Sequence, residues 1–153
     1  MKTLELKIPP PIVALLGAVA MWGIASVSPS LDIPLFIRKV TAGVLLLVAA
    51  GIALPGFVAF IRARTTINSM KPKATSSLVT GGIYRFTRNP MYVSVLFILV
   101  SWAIFLSSPW ALIGTVAFVL YINRFQIKPE ERVLAVMFGT AYSEYKGRVR
   151  RWL

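Results

Sequence analysis

Residues 81–106 read GGIYRFTRNPMYVSVLFILVSWAIFL, a basic segment that opens on two glycines and becomes a long run without a charge. Asn is a strong helix N-cap residue and Pro suits the first helical position, so Asn89-Pro90 predicts that a helix begins there. Arg85 and Arg88 just before an apolar helix are also typical topology signals at a membrane surface. The stretch therefore predicts a membrane helix with a polar block at its start.

The composition of the whole chain agrees with this interpretation. Hydrophobic residues make up 57% of its 153 residues and charged residues only 14%. The net charge of +12 does not indicate nucleic-acid binding, because the basic residues lie between apolar runs rather than on a soluble scaffold. The chain has no Cys and no His, which excludes thiolate nucleophiles, imidazole bases and zinc sites of the ordinary kind. No metal site is predicted.

Four apolar runs occur, at 12–27, 40–61, 91–106 and 110–122. About 20 apolar residues are needed to cross a bilayer. The first run could be a signal peptide cleaved after Ala20, but it continues past that position, which favours a retained helix opened by prolines 9–11. The last two runs are joined by Ser107-Ser108-Pro109. They predict a helical hairpin that only just crosses the membrane or continues into the cytoplasm.

The basic residues are distributed very unevenly among the segments between these runs. With four spans, the N-terminus, the 62–90 loop and the tail from Asn123 share one side, which holds fifteen of the 17 Lys and Arg residues. The positive-inside rule places that side in the cytoplasm. We therefore expect an integral membrane protein with both termini cytoplasmic, in the inner or plasma membrane if the chain is bacterial.

The predicted fold class is all-α and integral to the membrane. We expect about four transmembrane helices, a C-terminal helical hairpin and a cytoplasmic amphipathic helix. Residues 1–153 would form a single domain, with two N-terminal helices in residues 1–61. Two polar blocks, at 81–92 and from Glu130 onwards, would meet at the cytoplasmic surface.

The first block allows two interpretations. Its residues could simply set topology and cap a helix, with Tyr84 and Tyr92 as interfacial aromatic residues. If 83–89 is a helical turn, however, Arg85 and Arg88 are neighbours of like charge, and an anionic ligand would relieve their repulsion. Arg also offers a bidentate fork to a carboxylate.

The second block begins with Glu130-Glu131, two of only five acidic residues in the chain. Pro129 could start a helix whose N-terminal dipole these residues complement. Neighbours on a helix point about 100° apart, so the two carboxylates are expected to have distinct roles. An apolar face of Leu134, Met137 and Phe138 follows, and Gly139 is predicted to end the helix.

The closing segment places Tyr142, Tyr145 and Arg148 near one helix face, since they recur every three residues. It is also an amphipathic interfacial helix with a basic tail. Its four cations at 146, 148, 150 and 151 are expected to bind anionic headgroups, with Trp152 in the interface.

Together the two blocks resemble the integral-membrane methyltransferases. The carrying patterns are Gly-x-Tyr-x-x-x-Arg-Asn-Pro-x-Tyr at 82–92 and Glu-Glu-x-x-Leu-x-x-x-Phe-Gly-x-x-Tyr-x-x-Tyr-x-x-x-Val-x-Arg-Trp at 130–152, separated by a helical hairpin. This superfamily contains isoprenylcysteine carboxyl methyltransferases and phospholipid N-methyltransferases. The resemblance covers the chain from Gly81 onwards, about half of it.

The resemblance implies a methyltransferase dependent on S-adenosylmethionine, with 81–153 as its cofactor-binding catalytic core. The acceptor would be a lipophilic small molecule or lipid reached from the bilayer. The implied cofactor-binding residues are Tyr84, Arg88, Asn89, Pro90, Tyr92, Glu130, Glu131 and Tyr142. The implied catalytic residues are Arg88, Tyr145 and Arg148.

The chain departs from the family pattern at three positions. Asn89 stands where the isoprenylcysteine branch commonly has His, and Ser94 and Ser101 stand where small Gly positions often follow. A lipid amine, a thiol and a carboxylate therefore all remain open as acceptors, and the oligomeric state is undetermined. The competing class is a non-enzymatic multi-pass protein, a scaffold or transporter subunit, whose polar blocks only set topology.

Overall fold

The computed structural model describes residues 5–63 and 75–153, and within these ranges its regular secondary structure is entirely helical. The α-helices are α1 (Pro10–Val27), α2 (Leu35–Arg62), α3 (Pro90–Leu106), α4 (Leu112–Ile122) and α5 (Lys128–Arg148). Short 3₁₀ turns at Gly82–Arg85 and Pro109–Ala111 precede α3 and α4, and a π-helical segment at Asn123–Ile127 joins α4 to α5. The all-α prediction is confirmed. Lys2 and the basic residues of 64–74, which entered the charge distribution, lie outside the described residues.

Three helical segments of the described chain are long and apolar enough to cross a membrane: Pro10–Val27, Leu35–Arg62 and the continuous stretch Pro109–Arg148. α3 is equally apolar but has 17 residues. Large apolar side chains of α1 and α2 point outward, with Val27 87% and Leu47 74% exposed. Lipid, rather than protein, is the environment that suits such surfaces.

The helices pack around α3, which contacts α1, α2 and α4. Met21 of α1 is fully buried, and a Cβ at Gly114 of α4 would overlap its side chain. The glycine thus allows the two helices to approach closely, as small residues do in membrane bundles. Ser101 of α3 donates a hydrogen bond to the Ala42 carbonyl of α2 over 2.9 Å. The structure is consistent with a retained first helix. Met21 of α1 is part of the bundle core, and cleavage after Ala20 would remove the three helical turns that precede it.

The segments that connect the helices form two groups, one at each end of the bundle. At one end the α1–α2 loop meets the α3–α4 turn, where the Leu31 N–H donates to the Ser107 carbonyl over 2.7 Å. At the other end the Leu6 N–H donates to the Phe125 carbonyl over 3.0 Å, beside the start of α5. The N-terminal segment and both polar blocks therefore lie at the same end, as the four-helix arrangement predicts.

The hairpin continues beyond the bundle, because α4, the π-helical segment and the first part of α5 form one helical path that runs without a break as far as Phe138. Pro129 lies in the first turn of α5 but starts no separate helix. Gly139 has φ +49° and ψ −121°, so α5 kinks there and then resumes to Arg148. The prediction that the helix ends at Gly139 is confirmed, because the backbone leaves the helical conformation there and a second helical segment follows it. Met137, expected on the apolar face, is 40% exposed.

Candidate functional site

A cavity of about 340 Å³ lies at the end of the bundle where α3 begins. Its walls come from the start of α1, the end of α2, the segment before α3, the first turns of α3, and α5. Nine of the ten side chains expected to form the site line this cavity: Tyr84, Arg88, Asn89, Pro90, Tyr92, Glu130, Glu131, Tyr142 and Tyr145. Arg148 is exposed and is not part of the walls.

The cavity has a polar side and an apolar side. The polar side is formed by the arginine, glutamate and tyrosine residues of the two sequence blocks. Apolar side chains from four helices complete the walls, among them Pro10, Pro11, Phe60, Met91, Val95 and Leu134. The contributions from α1 and α2 were not expected from the sequence, because nothing in an apolar run indicates which of its residues face a cavity.

Glu131 lies between two arginines. Its Oε1 is 3.1 Å from Arg88 Nη2, while Arg151 reaches it with two hydrogen bonds, Nε to Oε1 at 3.0 Å and Nη2 to Oε2 at 2.7 Å. The Arg88 and Glu131 side chains are only 9% and 11% exposed. The hydrogen bonds to Glu131 raise the pKa of Arg151, so its guanidinium remains charged. The bidentate contact of Arg151 and the nearly buried contact of Arg88 are both charge-assisted, which makes them stronger than a typical exposed ion pair.

Glu130 has a different partner. Its Oε1 accepts a hydrogen bond of 2.8 Å from the Tyr92 hydroxyl, one helical turn into α3. The two adjacent carboxylates therefore take distinct roles, as their angular separation on a helix predicts. Glu131 belongs to an ion-pair network. Glu130 lines the cavity, and its hydrogen-bond donor is the neutral phenol of Tyr92.

Three buried tyrosines form part of the cavity wall. Tyr84, Tyr142 and Tyr145 pack together, and the Tyr145 hydroxyl donates 2.8 Å to the Tyr84 carbonyl. Phe60 of α2 meets the Tyr84 ring edge-on, with centroids 5.5 Å apart. Burial raises the pKa of Tyr84 above its ordinary range, so its phenol is neutral at physiological pH. These contacts join α2, the 3₁₀ turn and α5 around the cavity.

Asn89 occupies the N-cap position of α3, but its side chain makes no capping hydrogen bond. Instead its Nδ2 donates to the Arg151 carbonyl over 2.9 Å, and the Thr87 hydroxyl donates to the same carbonyl over 3.2 Å. The Arg88 N–H donates to the Arg150 carbonyl over 2.9 Å. The C-terminal segment is therefore bound along the loop that precedes α3.

The expected helical turn over 83–89 is not formed. The 3₁₀ turn ends at Arg85, which is exposed, whereas Arg88 lies beyond it and is nearly buried. The predicted repulsion between these two arginines was wrong, since Glu131 is the charged partner of Arg88. Arg151 is the residue that sequence reasoning missed. By composition it resembles the other tail cations, and only its place in the Val-x-Arg-Trp pattern sets it apart.

The arrangement suits a small zwitterionic ligand. The Nε and Nη1 atoms of Arg88 are buried and make no well-formed hydrogen bond among the described residues, although the Tyr142 phenol lies near this guanidinium. Leaving such donors unpaired costs about 1–3 kcal/mol each, so an anionic group placed against them would be bound. Glu130 offers a carboxyl for a cationic or hydroxyl group. Within the described ranges no group of three or more acidic residues is placed to hold a metal.

Comparison with known proteins identifies the class. The model of the phospholipid methyltransferase family matches residues 37–141. Two probable protein-S-isoprenylcysteine O-methyltransferases of Oryza sativa, from subspecies indica and japonica, are each 38% identical over 79 residues, which is 50% of this chain and 40% of theirs. An uncharacterized protein of Haemophilus influenzae is 48% identical over 63 residues, 41% of this chain and all of that protein. No solved structure matches the chain.

These findings define an integral-membrane methyltransferase of the phospholipid and isoprenylcysteine type. The chain belongs to the phospholipid methyltransferase family, whose model covers well over half of it. It spans less than half the length of the rice proteins. The family membership and the apolar helices together make it an integral membrane protein, and the family membership favours a methyltransferase over a non-enzymatic scaffold.

Proposed function

We propose that this protein transfers a methyl group from S-adenosylmethionine to a lipophilic acceptor at the cytoplasmic face of the membrane. Four helices cross the bilayer in this proposal, both termini are cytoplasmic, and α5 lies at the membrane surface. Residues 81–153 supply the cofactor-binding core of a single domain. The observation that carries the proposal is the cavity at the start of α3, where nine side chains from two distant blocks line one space.

The polar side of the cavity is assigned to the cofactor. Arg88 would bind its carboxylate through the two free N–H groups, and Glu130 would bind its ammonium group or ribose hydroxyls. Tyr142 and Tyr145 would close the pocket around it. Arg148 lies outside the cavity walls, so it is assigned no contact with the reacting groups.

The reaction requires no covalent intermediate between the chain and the transferred methyl group. When bound, S-adenosylmethionine supplies an activated methyl group on a sulfonium, and its transfer is a direct displacement by the acceptor. The residues have to hold donor and acceptor in line, an effect worth up to ~7–11 kcal/mol in favourable cases. They also have to keep water away from a charged reactant, which the buried tyrosine wall does.

The apolar side of the cavity is assigned to the acceptor. Its residues come from helices that face lipid, so a lipid amine, a thiol or a carboxylate bearing an apolar tail could reach the site through the bilayer. The two relatives from rice are named as methyltransferases of protein-S-isoprenylcysteine, and the family is named for phospholipids. Both names are consistent with a lipophilic acceptor.

The test uses the full chain purified into bilayer nanodiscs. Calorimetric titration with S-adenosylmethionine should show saturable binding, and incubation with the methyl-labelled cofactor and lipid extracts should label a lipid-soluble product. Absence of cofactor binding would refute the proposed function. Binding together with label only in water-soluble acceptors would keep the cofactor assignment and overturn the acceptor class.

A further inference from the structure

The ion-pair network at the polar side of the cavity contains one member that is not part of the cavity wall. Arg151 is 29% exposed and touches Glu131, which in turn touches Arg88. Of the four cations at 146, 148, 150 and 151, it alone forms a hydrogen-bonded ion pair within the described part of the chain. Its guanidinium group donates hydrogen bonds to both oxygens of Glu131. This bidentate geometry fixes the carboxylate in one orientation.

The orientation of Glu131 decides how Arg88 is presented. Glu131 Oε1 binds the Nη2 of Arg88, while Nε and Nη1 of the same guanidinium are buried and make no well-formed hydrogen bond within residues 5–63 and 75–153. The main chain of Arg88 is held as well, by the Arg150 carbonyl next to Arg151 in sequence. The tail therefore positions both the backbone and the side chain of Arg88.

The charge balance gives Arg151 a second effect. One carboxylate between two guanidinium groups leaves a net charge of +1 in the network, so Arg88 keeps a positive potential for an incoming anion. Without Arg151, Glu131 would neutralise Arg88 alone and would compete with that anion for its N–H groups. In a largely desolvated site this competition is strong, because the local dielectric screens it weakly.

We propose that Arg151 is a positioning residue, which acts through Glu131 to orient Arg88 and keep it available for the cofactor's carboxylate. This inference rests on the proposed function, since it takes S-adenosylmethionine as the ligand of Arg88. It also divides the acidic pair: Glu131 organises the arginines, and Glu130 faces the ligand. Arg151 touches neither cofactor nor acceptor.

The test is a double-mutant cycle on cofactor affinity, measured by calorimetry with S-adenosylhomocysteine on nanodisc-embedded protein. Arg151→Ala should weaken binding about tenfold, within the range of coupling measured between residues of one salt-bridge network. Arg151→Lys keeps the charge but loses the fork, so its affinity should fall between those of the wild type and Arg151→Ala. Arg150→Ala is the matched control, because the exposed Arg150 contributes only its carbonyl, and it should bind like the wild type.

The decisive comparison is made in a Glu131→Gln background. Since Arg151 acts through the Glu131 charge, adding Arg151→Ala there should cause little further loss. A full additional loss would mean a direct contact or a general role in holding the tail, and would overturn the inference. So would wild-type affinity in both Arg151 variants, and if Arg151→Ala fails to fold, Arg151→Lys carries the same test. A wild-type protein that binds no cofactor analogue at all refutes the proposed function instead.

Discussion

At the residue scale, the hydrogen-bond and ion-pair partners of a side chain distinguish it from others of the same type. Glu130 and Glu131 are adjacent, yet one accepts from a tyrosine and the other lies between two arginines. Asn89 stands at an N-cap position and uses its side chain to hold the tail. Their surroundings, more than their side-chain types, distinguish these residues.

Arg88 provides the residue-scale prediction. Arg88→Ala should weaken S-adenosylmethionine binding by about thirtyfold or more, since losing one partner of a desolvated charge pair costs ~2–5 kcal/mol. Arg88→Lys retains the charge that contributes to topology but not the bidentate fork, so it should also bind poorly while inserting in the same orientation. Calorimetry measures the binding, and circular dichroism with thermal melting checks that each variant is folded. Normal affinity in both variants would leave the first block as a topology and capping device.

At the scale of elements, the site depends on how α5 is connected and bent. The π-helical segment at Asn123–Ile127 carries α4 into α5 without a loop, and such segments often occur near functional sites. Asn123 in this segment accepts a hydrogen bond of 3.1 Å from Trp152, which ties it to the tail. Beyond it, the kink at Gly139 redirects the helix so that Tyr142 and Tyr145 reach the cavity.

Gly139 provides the element-scale prediction. Its φ of +49° with ψ of −121° is a conformation that only glycine adopts easily, so Gly139→Ala should cost about 1–3 kcal/mol of stability. It should also weaken cofactor binding, because Tyr142 follows the kink by three residues. Gly147→Ala is the matched control: Gly147 is helical and a Cβ there meets open space, so alanine should raise stability slightly. Thermal melting in nanodiscs would contradict the strain argument if both alanine variants melted alike.

At the scale of the whole molecule, one arrangement accounts for the charge distribution and the site together. The N-terminal segment, the loop before α3 and the tail meet at one end of the bundle, while the turns at Ser30 and Ser107 lie at the other. The cavity opens at the basic end and is walled by helices whose outer surfaces are apolar. In the proposed four-span arrangement this position lies at headgroup depth, which would suit an acceptor with a polar head and an apolar tail.

The topology prediction is that the two ends face opposite sides of the membrane. Because the chain contains no cysteine, Ser30→Cys and Ser76→Cys each introduce a single exposed thiol. A membrane-impermeant maleimide added to intact cells should label position 30 and spare position 76, which becomes reactive only after permeabilisation. Equal labelling of both positions in intact cells would contradict the four-span arrangement.

The acceptor prediction concerns the length of the tail. Each buried CH₂ is worth ~0.8 kcal/mol, so apparent affinity for acceptors with one headgroup should rise with chain length until the groove is filled. Turnover is measured across a homologous series at fixed mole fraction in nanodiscs. A preference for the tail-free headgroup would remove the lateral route through the bilayer and leave the methyltransferase assignment intact.

Local sequence patterns are enough to predict the class of protein, the start of α3 and nine side chains that line one cavity. Long uncharged runs are stable as membrane or core helices, so they indicate the class of protein. Proline inside a helix removes a backbone hydrogen bond and favours a kink or a break, so Asn89-Pro90 indicates the position where a helix begins. The separation of Glu130 from Glu131 follows from helix geometry alone. Nine of the ten expected site residues line one cavity, and seven of the nine lie within the residues that the family model matches.

Which tail cation joins the ion-pair network follows from the path of the folded chain, not from local sequence. Arg148, Arg150 and Arg151 are equivalent by composition, but α5 ends at Arg148 and Val149 is extended, so the chain turns back and directs Arg151 to Glu131. The apolar wall from α1 and α2, including Phe60, was decided in the same way. Burial and pairing of these residues depend on contacts between segments distant in sequence, which no local pattern records.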